Sequence, residues 1–244
     1  MPQQRYASGR WLCLVALLLV CRAQHAQGAT PAPVILPPDV DQTWLRTTPK
    51  GAPRLIALTF DDGPAPGTGD AILNTLKAVK WLATFCVIET NVQQHPEMVK
   101  RMLAEGHEVA SHSWSHKNLT QLDADEVGHE VGDSLNDLRT LFKIDVHWFR
   151  PPFSAVTPAI RDRIRAEFGC ALLGLTTDSE DWKRPPDGTI TKNLLADLPD
   201  GSVILCHEWS EQTAKELPFI ISELVKRGYR SVTISQLLAT RRKH

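Results

Sequence analysis

From Arg54 onward, short apolar runs rich in β-forming residues alternate with longer amphipathic stretches. The runs are LIALTF (55–60), ATFCVI (83–88), EVASH (108–112), VHWF (146–149), ALLGLTT (171–177), SVILCH (202–207) and SVTIS (231–235). Several are apolar nearly throughout, as strands buried on both faces are. Between them, DAILNTLKAVK (70–80) carries apolar residues at Ile72, Leu73, Leu76 and Val79, the recurrence of one helix face. HPEMVKRMLAEG (95–106) opens with Pro and closes on Gly, the usual punctuation of a helix. The stretches 122–142, 157–169 and 216–228 follow the same logic. This alternation predicts parallel strands covered by helices. Seven units without a second half-sheet pattern predict a β/α barrel, complete or incomplete, in a single domain.

The first 53 residues have a different texture. Arg5 and Arg10 precede the apolar run WLCLVALLLV (11–20), and small residues follow at Ala26 and Gly28. This predicts a signal peptide over 1–28, and hence a secreted or periplasmic protein with no membrane span in its mature form, an uncleaved membrane anchor being the alternative. Residues 30–53 hold six prolines and no periodicity, so 29–53 reads as a leader or linker before a catalytic domain over 54–240.

Charge narrows the partners. The whole chain carries −1, and losing 1–28 would remove three arginines and no acids, leaving about −4. With no basic patch and no Lys/Arg run interleaved with aromatics, a nucleic-acid partner is not expected. Of the five cysteines, Cys86, Cys170 and Cys206 lie in apolar stretches beyond the leader, without C-x-x-C spacing. They read as buried free thiols, with one bridge plus a free thiol as the alternative, and not as a metal set.

In a β/α barrel the chemistry collects at the carboxyl ends of the strands. Those ends carry Asp61 and Asp62, then His112 and His116, Arg150, Asp178 and Asp181, and His207. Two His four apart, in HSWSH (112–116), share a face if that turn is helical and can then hold one zinc. One of the adjacent acids Asp61 and Asp62 completes a His-His-Asp set, and the other is left to accept a proton from water. The cation also explains why two neighbouring carboxylates are tolerated. His107 is expected to be a hydrogen-bonded support for this loop. Arg150, before two rigid prolines, can orient the proton-accepting Asp. In DSEDW (178–182) one acid can orient a catalytic His and Trp182 can wall a sugar site. His207 can protonate a leaving group.

TFDDGP, HSWSH, RPPF, DSEDW and LCH, in this order over about residues 54–238, resemble the five motifs of the polysaccharide deacetylases (carbohydrate esterase family four, the NodB homology domain). The resemblance implies a distorted (β/α)₇ barrel that removes acetyl groups from a glycan with Zn²⁺ or another divalent ion such as Co²⁺. It implies Asp61 as general base, tethered by Arg150, and Asp62, His112 and His116 as metal ligands. The Phe153 N–H would join in stabilising the oxyanion, and Leu205 and Trp182 would line the acetyl and sugar pocket. Asp178 would tune His207, the general acid. The substrate suggested is an N-acetylglucosamine glycan such as peptidoglycan, a chitin oligomer or an exopolysaccharide. An O-acetyl xylan esterase, a hydrolase of non-glycan amides and a non-catalytic glycan-binding module are the alternatives.

Overall fold

The computed structural model describes residues 54–241. The expected signal peptide and Pro-rich leader lie outside the described residues. Eight strands appear among those described: β1 (Arg54–Gly63), β2 (Ala83–Val87), β3 (Glu108–Ser111), β4 (Trp148–Phe149), β5 (Ala171–Leu172), β6 (Thr177–Asp178), β7 (Val203–His207) and β8 (Tyr229–Ser231). All pairings are parallel, in the order β5-β4-β3-β2-β1-β7-β6, with β8 against the start of β1. β5 and β6 do not pair, so the curled sheet stays open there and the barrel is distorted.

The helices fill the gaps between strands: α1 (Thr68–Val79), α2 (Glu89–Gln94), α3 (Pro96–Ala104), α4 (Ala124–Val127), α5 (Ser134–Phe142), α6 (Pro158–Phe168), α7 (Thr189–Ala196), α8 (Glu211–Lys226) and α9 (Ile234–Arg241). A π-helical segment, Gly128–Asp133, joins α4 to α5. Local chemistry sets their ends. Thr157 accepts a hydrogen bond from the Ile160 N–H at the start of α6, and Gly169 takes the left-handed conformation at its end. Ser210 does the same for α8 through the Thr213 N–H. None of the described helices is long and apolar enough to cross a membrane.

Strand alternation divides the interior in two. Ile56, Leu58 and Phe60 of β1 face the outer layer of helices, where Phe60 stacks on Phe85 at 5.3 Å. Each such buried side chain contributes roughly 1.5–3 kcal/mol of transfer free energy. The opposite face of β1 points into the barrel, where Ala57 joins Cys86, Ala110 and Ala171. The small residues leave room for Ile234, Leu237 and Leu238 of α9, which plug that interior. Thr59 and Asp61 share the parity of Ala57, so the same face becomes polar toward the carboxyl end. Cys86, Cys170 and Cys206 are buried and free, as their sequence setting suggests.

The sequence-based elements needed revision at several points. The run 171–177 is not one strand: its ends form β5 and β6, paired to β4 and β7 respectively. The run 231–235 contributes only Ser231 to a strand and then turns into α9, because Thr233 and Gln236 cap each other (3.2 Å each way). Helix α7 carried no clear signal. Its start is held from another element, with Glu216 of α8 accepting from the N–H groups of Gly188 and Thr191.

Candidate metal centre and catalytic site

The cluster begins with a break in β1. Its pairing with β2 shifts between Asp61 and Gly63, and Asp62 sits at φ 68°, in the left-handed region. In a regular strand, adjacent side chains would face opposite sides of the sheet. The bulge turns both carboxylates to the same mouth. Asp61 Oδ2 lies 3.7 Å from His112 Nε2, and Asp62 Oδ1 lies 3.4 Å from the same nitrogen.

His116 Nε2 is also 3.4 Å from Asp62 Oδ1. The ligating atoms of Asp62, His112 and His116 all fall within 4.8 Å of one another. The two histidines do not meet on a helix, as their spacing suggested. Residues 112–116 form an irregular loop with left-handed residues at Ser113 (φ 75°) and His116 (φ 63°). Ser113 Oγ accepts from the His116 N–H at 2.9 Å, and buried Glu130 accepts from both the N–H and the hydroxyl of Ser115 (2.8 and 2.5 Å). Glu130 comes from the π-helical segment, so a helix irregularity grips the loop.

The chemistry of these donors fits a divalent cation. His112 Nδ1–H donates to the Arg150 carbonyl at 2.7 Å, which leaves Nε2 as the nitrogen turned toward Asp62. Asp62 Oδ1 is buried without a hydrogen-bond partner, a costly state for a carboxylate oxygen unless a cation meets it. Burial alone would raise the Asp62 pKa. The closeness and charge of His112, the Trp209 hydrogen bond and the charge of His116 outweigh that and hold the carboxyl well below its usual range. His116 is shifted the other way from protonation, first by burial and then by His112, so its neutral, ligating form is favoured.

Arg150 ties the first acid in place. Its Nη1 donates to Asp61 Oδ1 at 2.6 Å and to Thr59 Oγ1 at 2.7 Å, while Nη2 donates to the Gly174 carbonyl at 3.1 Å. Arg150 and Asp61 are both nearly inaccessible to solvent. A fully hydrogen-bonded ion pair of this kind is rigid, and losing one partner would strand the other.

His207 stands beside Asp61 in the β1–β7 register. Its partner is Asp181, and the expected pairing with Asp178 is corrected. Asp181 Oδ1 accepts from His207 Nδ1 at 2.6 Å, and its Oδ2 accepts from the His207 N–H and the Thr213 hydroxyl. Burial lowers the His207 pKa, but the bond and charge of Asp181 more than compensate, and the net shift is upward. Asp178 instead accepts from the Glu180 N–H (2.8 Å) and from the Trp182 indole N–H (3.3 Å). The difference arises because the 181–183 turn carries Asp181 into the interior while Trp182 stays half exposed.

These groups surround a cavity of about 430 Å³. Asp61, Asp62, His112, His116 and His207 lie along it, and Leu205, Trp182, Phe153 and Trp209 supply apolar surface. Phe153 has φ 58° and is 68% exposed, which puts an aromatic face at the rim. His107 does not support the metal loop. It accepts from the Ala83 N–H through Nδ1 at the start of β2, the other end of the barrel, and burial pulls its pKa down to about 4. Sequence reasoning also passed over Glu130, Trp209 and Glu208. The last is a buried acid whose Oε1 accepts from the Ala65 N–H and so ties the loop after Asp62 to the end of β7.

A family model described as "Polysaccharide deacetylase" matches residues 48–170. The chain belongs to that family. It is 38% identical over 185 residues to the peptidoglycan-N-acetylglucosamine deacetylase PgdA of Listeria monocytogenes, covering 75% of this chain and 38% of that protein. The peptidoglycan-N-acetylmuramic acid deacetylase PdaC of Bacillus subtilis is 38% identical over 184 residues, again across 75% of this chain and 38% of the relative. The solved structure of PdaC superposes with a TM-score of 0.73 at 35% identity, covering 78% of this chain and 93% of that one. A chitooligosaccharide deacetylase of a Bradyrhizobium species is 32% identical over 199 residues, 75% of this chain and 90% of the relative. The chain thus spans well under half the length of the first two relatives.

Proposed function

We propose that the protein is a metal-dependent deacetylase that hydrolyses N-acetyl groups of an N-acetylglucosamine-containing glycan and releases acetate. One observation carries the reading: a two-histidine and carboxylate triad shares one cavity with an Arg-tethered carboxylate and an Asp-supported histidine. Binding alone needs no such acid–base pair. The relatives' activities on peptidoglycan and chitin oligosaccharides support an acetylated amino sugar as substrate. The apolar run at 11–20 behind two arginines supports action on a glycan outside the cytoplasmic membrane.

Asp62, His112 and His116 would hold the ion, Zn²⁺ or Co²⁺ being suited to two imidazoles and a carboxylate. A divalent ion there would supply Lewis acidity, polarising the acetyl carbonyl and acidifying water. Asp61, oriented by Arg150, accepts the proton of the attacking water. The Phe153 N–H donates to the carbonyl oxygen as negative charge develops on it. His207, its Nδ1 proton engaged by Asp181, presents Nε2–H to the departing nitrogen and protonates it. Leu205 borders the acetyl methyl, and Trp182 offers a ring for the sugar to stack on.

The test is acetate release from chitin oligomers and peptidoglycan fragments by chelator-stripped protein, with and without added Zn²⁺ or Co²⁺. Release restored by metal on either glycan is the expected result. A protein that binds one ion per chain and releases acetate only from acetylated xylan would move the assignment to an esterase.

A further inference from the structure

The carboxylate of Asp62 has two oxygens, and the structure gives them different neighbours. Oδ1 faces the Nε2 atoms of His112 and His116 and has no donor. Oδ2 accepts a hydrogen bond from the indole N–H of Trp209 at 2.8 Å. An indole nitrogen can only donate, so this contact has one polarity, with Oδ2 as the acceptor. The backbone of Asp62 has left the regular strand at φ 68°, so its side chain depends on such contacts to hold its direction.

Trp209 is itself well anchored. It lies between His207, bound to Asp181, and Ser210, the cap of α8. Its neighbour Glu208 donates its N–H to the Asp61 carbonyl at 2.8 Å. The stretch 207–210 therefore reaches the general acid, the backbone of the base and the metal carboxylate from one strand end. The Trp209 ring is tilted against His207 at 5.5 Å between centroids and borders the substrate cavity.

We propose that Trp209 is a positioning residue of the metal site: its N–H occupies Oδ2 of Asp62 and leaves Oδ1 as the single oxygen turned toward the two histidines. This rests on the metal-site reading above. Fixing a ligand before the ion arrives lowers the entropy lost on binding, and holding the second oxygen away keeps Asp62 a one-oxygen donor. Open positions then remain for water and substrate.

The test separates the N–H from the ring. Trp209→Phe keeps an aromatic wall and loses the donor. Replacing Trp209 by benzothienylalanine keeps the bicyclic shape and puts sulfur where the N–H was. Affinity is read by Co²⁺ titration against a competing chelator, together with the visible absorption of the bound Co²⁺ and the melting temperature of the metal-free protein. The expected result is an affinity loss of about 10- to 100-fold in both variants, with an altered Co²⁺ spectrum and an unchanged metal-free melting temperature. If the benzothienylalanine protein binds Co²⁺ within twofold of the wild type with the same spectrum, the proposal is overturned, whether or not Trp209→Phe folds. A wild-type protein that binds no ion would instead remove the metal-site reading beneath it.

Discussion

Asp181 Oδ1 sits 2.6 Å from His207 Nδ1, and the same carboxylate also receives the His207 backbone N–H. The acid is fully buried, so its charge acts on the imidazole with little screening. Asp178, three residues earlier, spends its oxygens on the Glu180 N–H and the Trp182 indole.

The two acids are therefore predicted to fail differently. Asp181→Asn removes the charge that holds the His207 pKa up, so the proton needed by the leaving group is lost at lower pH. The alkaline limb of the pH–kcat profile should move to lower pH, with kcat down about 10²-fold. Asp178→Asn should leave that limb in place and mainly raise KM, because it loosens Trp182 at the cavity rim. Steady-state kinetics across pH for both variants checks this, and equal limb shifts would contradict it.

Arg150→Ala strands the Asp61 carboxylate in the interior. We expect a loss of about 3–5 kcal/mol in unfolding free energy, together with most of the activity. Arg150→Lys should not restore either, since an ammonium cannot serve Asp61, Thr59 and the Gly174 carbonyl from one planar fork. Urea unfolding of both variants provides the measurement.

Removing the metal should destabilise the fold as well as silence it. At an ion concentration a thousand times its Kd, binding adds about 4 kcal/mol. Chelator should lower the melting temperature of the wild type, and His116→Ala should melt alike with and without chelator. Calorimetric scans with and without Zn²⁺ decide the point.

Gly63 is required by a neighbour, not by its own conformation. A Cβ there would come within 1.8 Å of Glu208 Oε2, and one at Gly69 within 2.1 Å of Oε1. The carboxyl is buried between these two glycines. Gly63→Ala should cost about 1–3 kcal/mol through overpacking. Combined with Glu208→Ala, the loss should be clearly less than the sum of the two single losses, because the clash has gone. A double-mutant cycle in urea reads the coupling, and simple additivity would sink the explanation.

Glu208 also predicts a pH dependence. Burial, with a smaller push from Asp70 and against the Ala65 N–H, raises its pKa from 4.5 to about 7. Between these values the folded protein keeps a proton that the unfolded chain has released. The associated stability is complete below the unfolded value and is lost as pH rises toward about 7. Glu208→Gln should flatten the wild-type slope across this window, a difference on the order of 2–4 kcal/mol. Unfolding at about pH 4 and about pH 7.5 for both proteins makes the comparison.

Most of the barrel is legible in the sequence because its strands are buried on both faces and its helices on one, and each burial pattern has its own period. Legibility ends where an element is held by something distant. The run 171–177 divides because its two ends pair with different strands. α7 depends on Glu216 of α8 for its start. HSWSH is at helical spacing, yet Ser113 and Glu130 buckle it into a loop that still brings the two imidazoles together.

The residue types at the strand ends, and their order, were determined by the sequence alone: two acids, two histidines, an arginine and a final histidine. Barrel topology sends strand ends to one mouth, so the presence of a metal-ligand set could be read there without coordinates. Which partner each group takes was decided by the tertiary structure. Asp181 and Asp178 are equally acidic and three residues apart, and only the inward turn at 181–183 separates them. Trp209 carries no motif at all. Its role depends on a hydrogen bond spanning 147 residues, set by the packing of β7 against β1. Hydrogen bonds are short and directional, so a pattern along the chain names the donors and acceptors while the fold chooses the pairs.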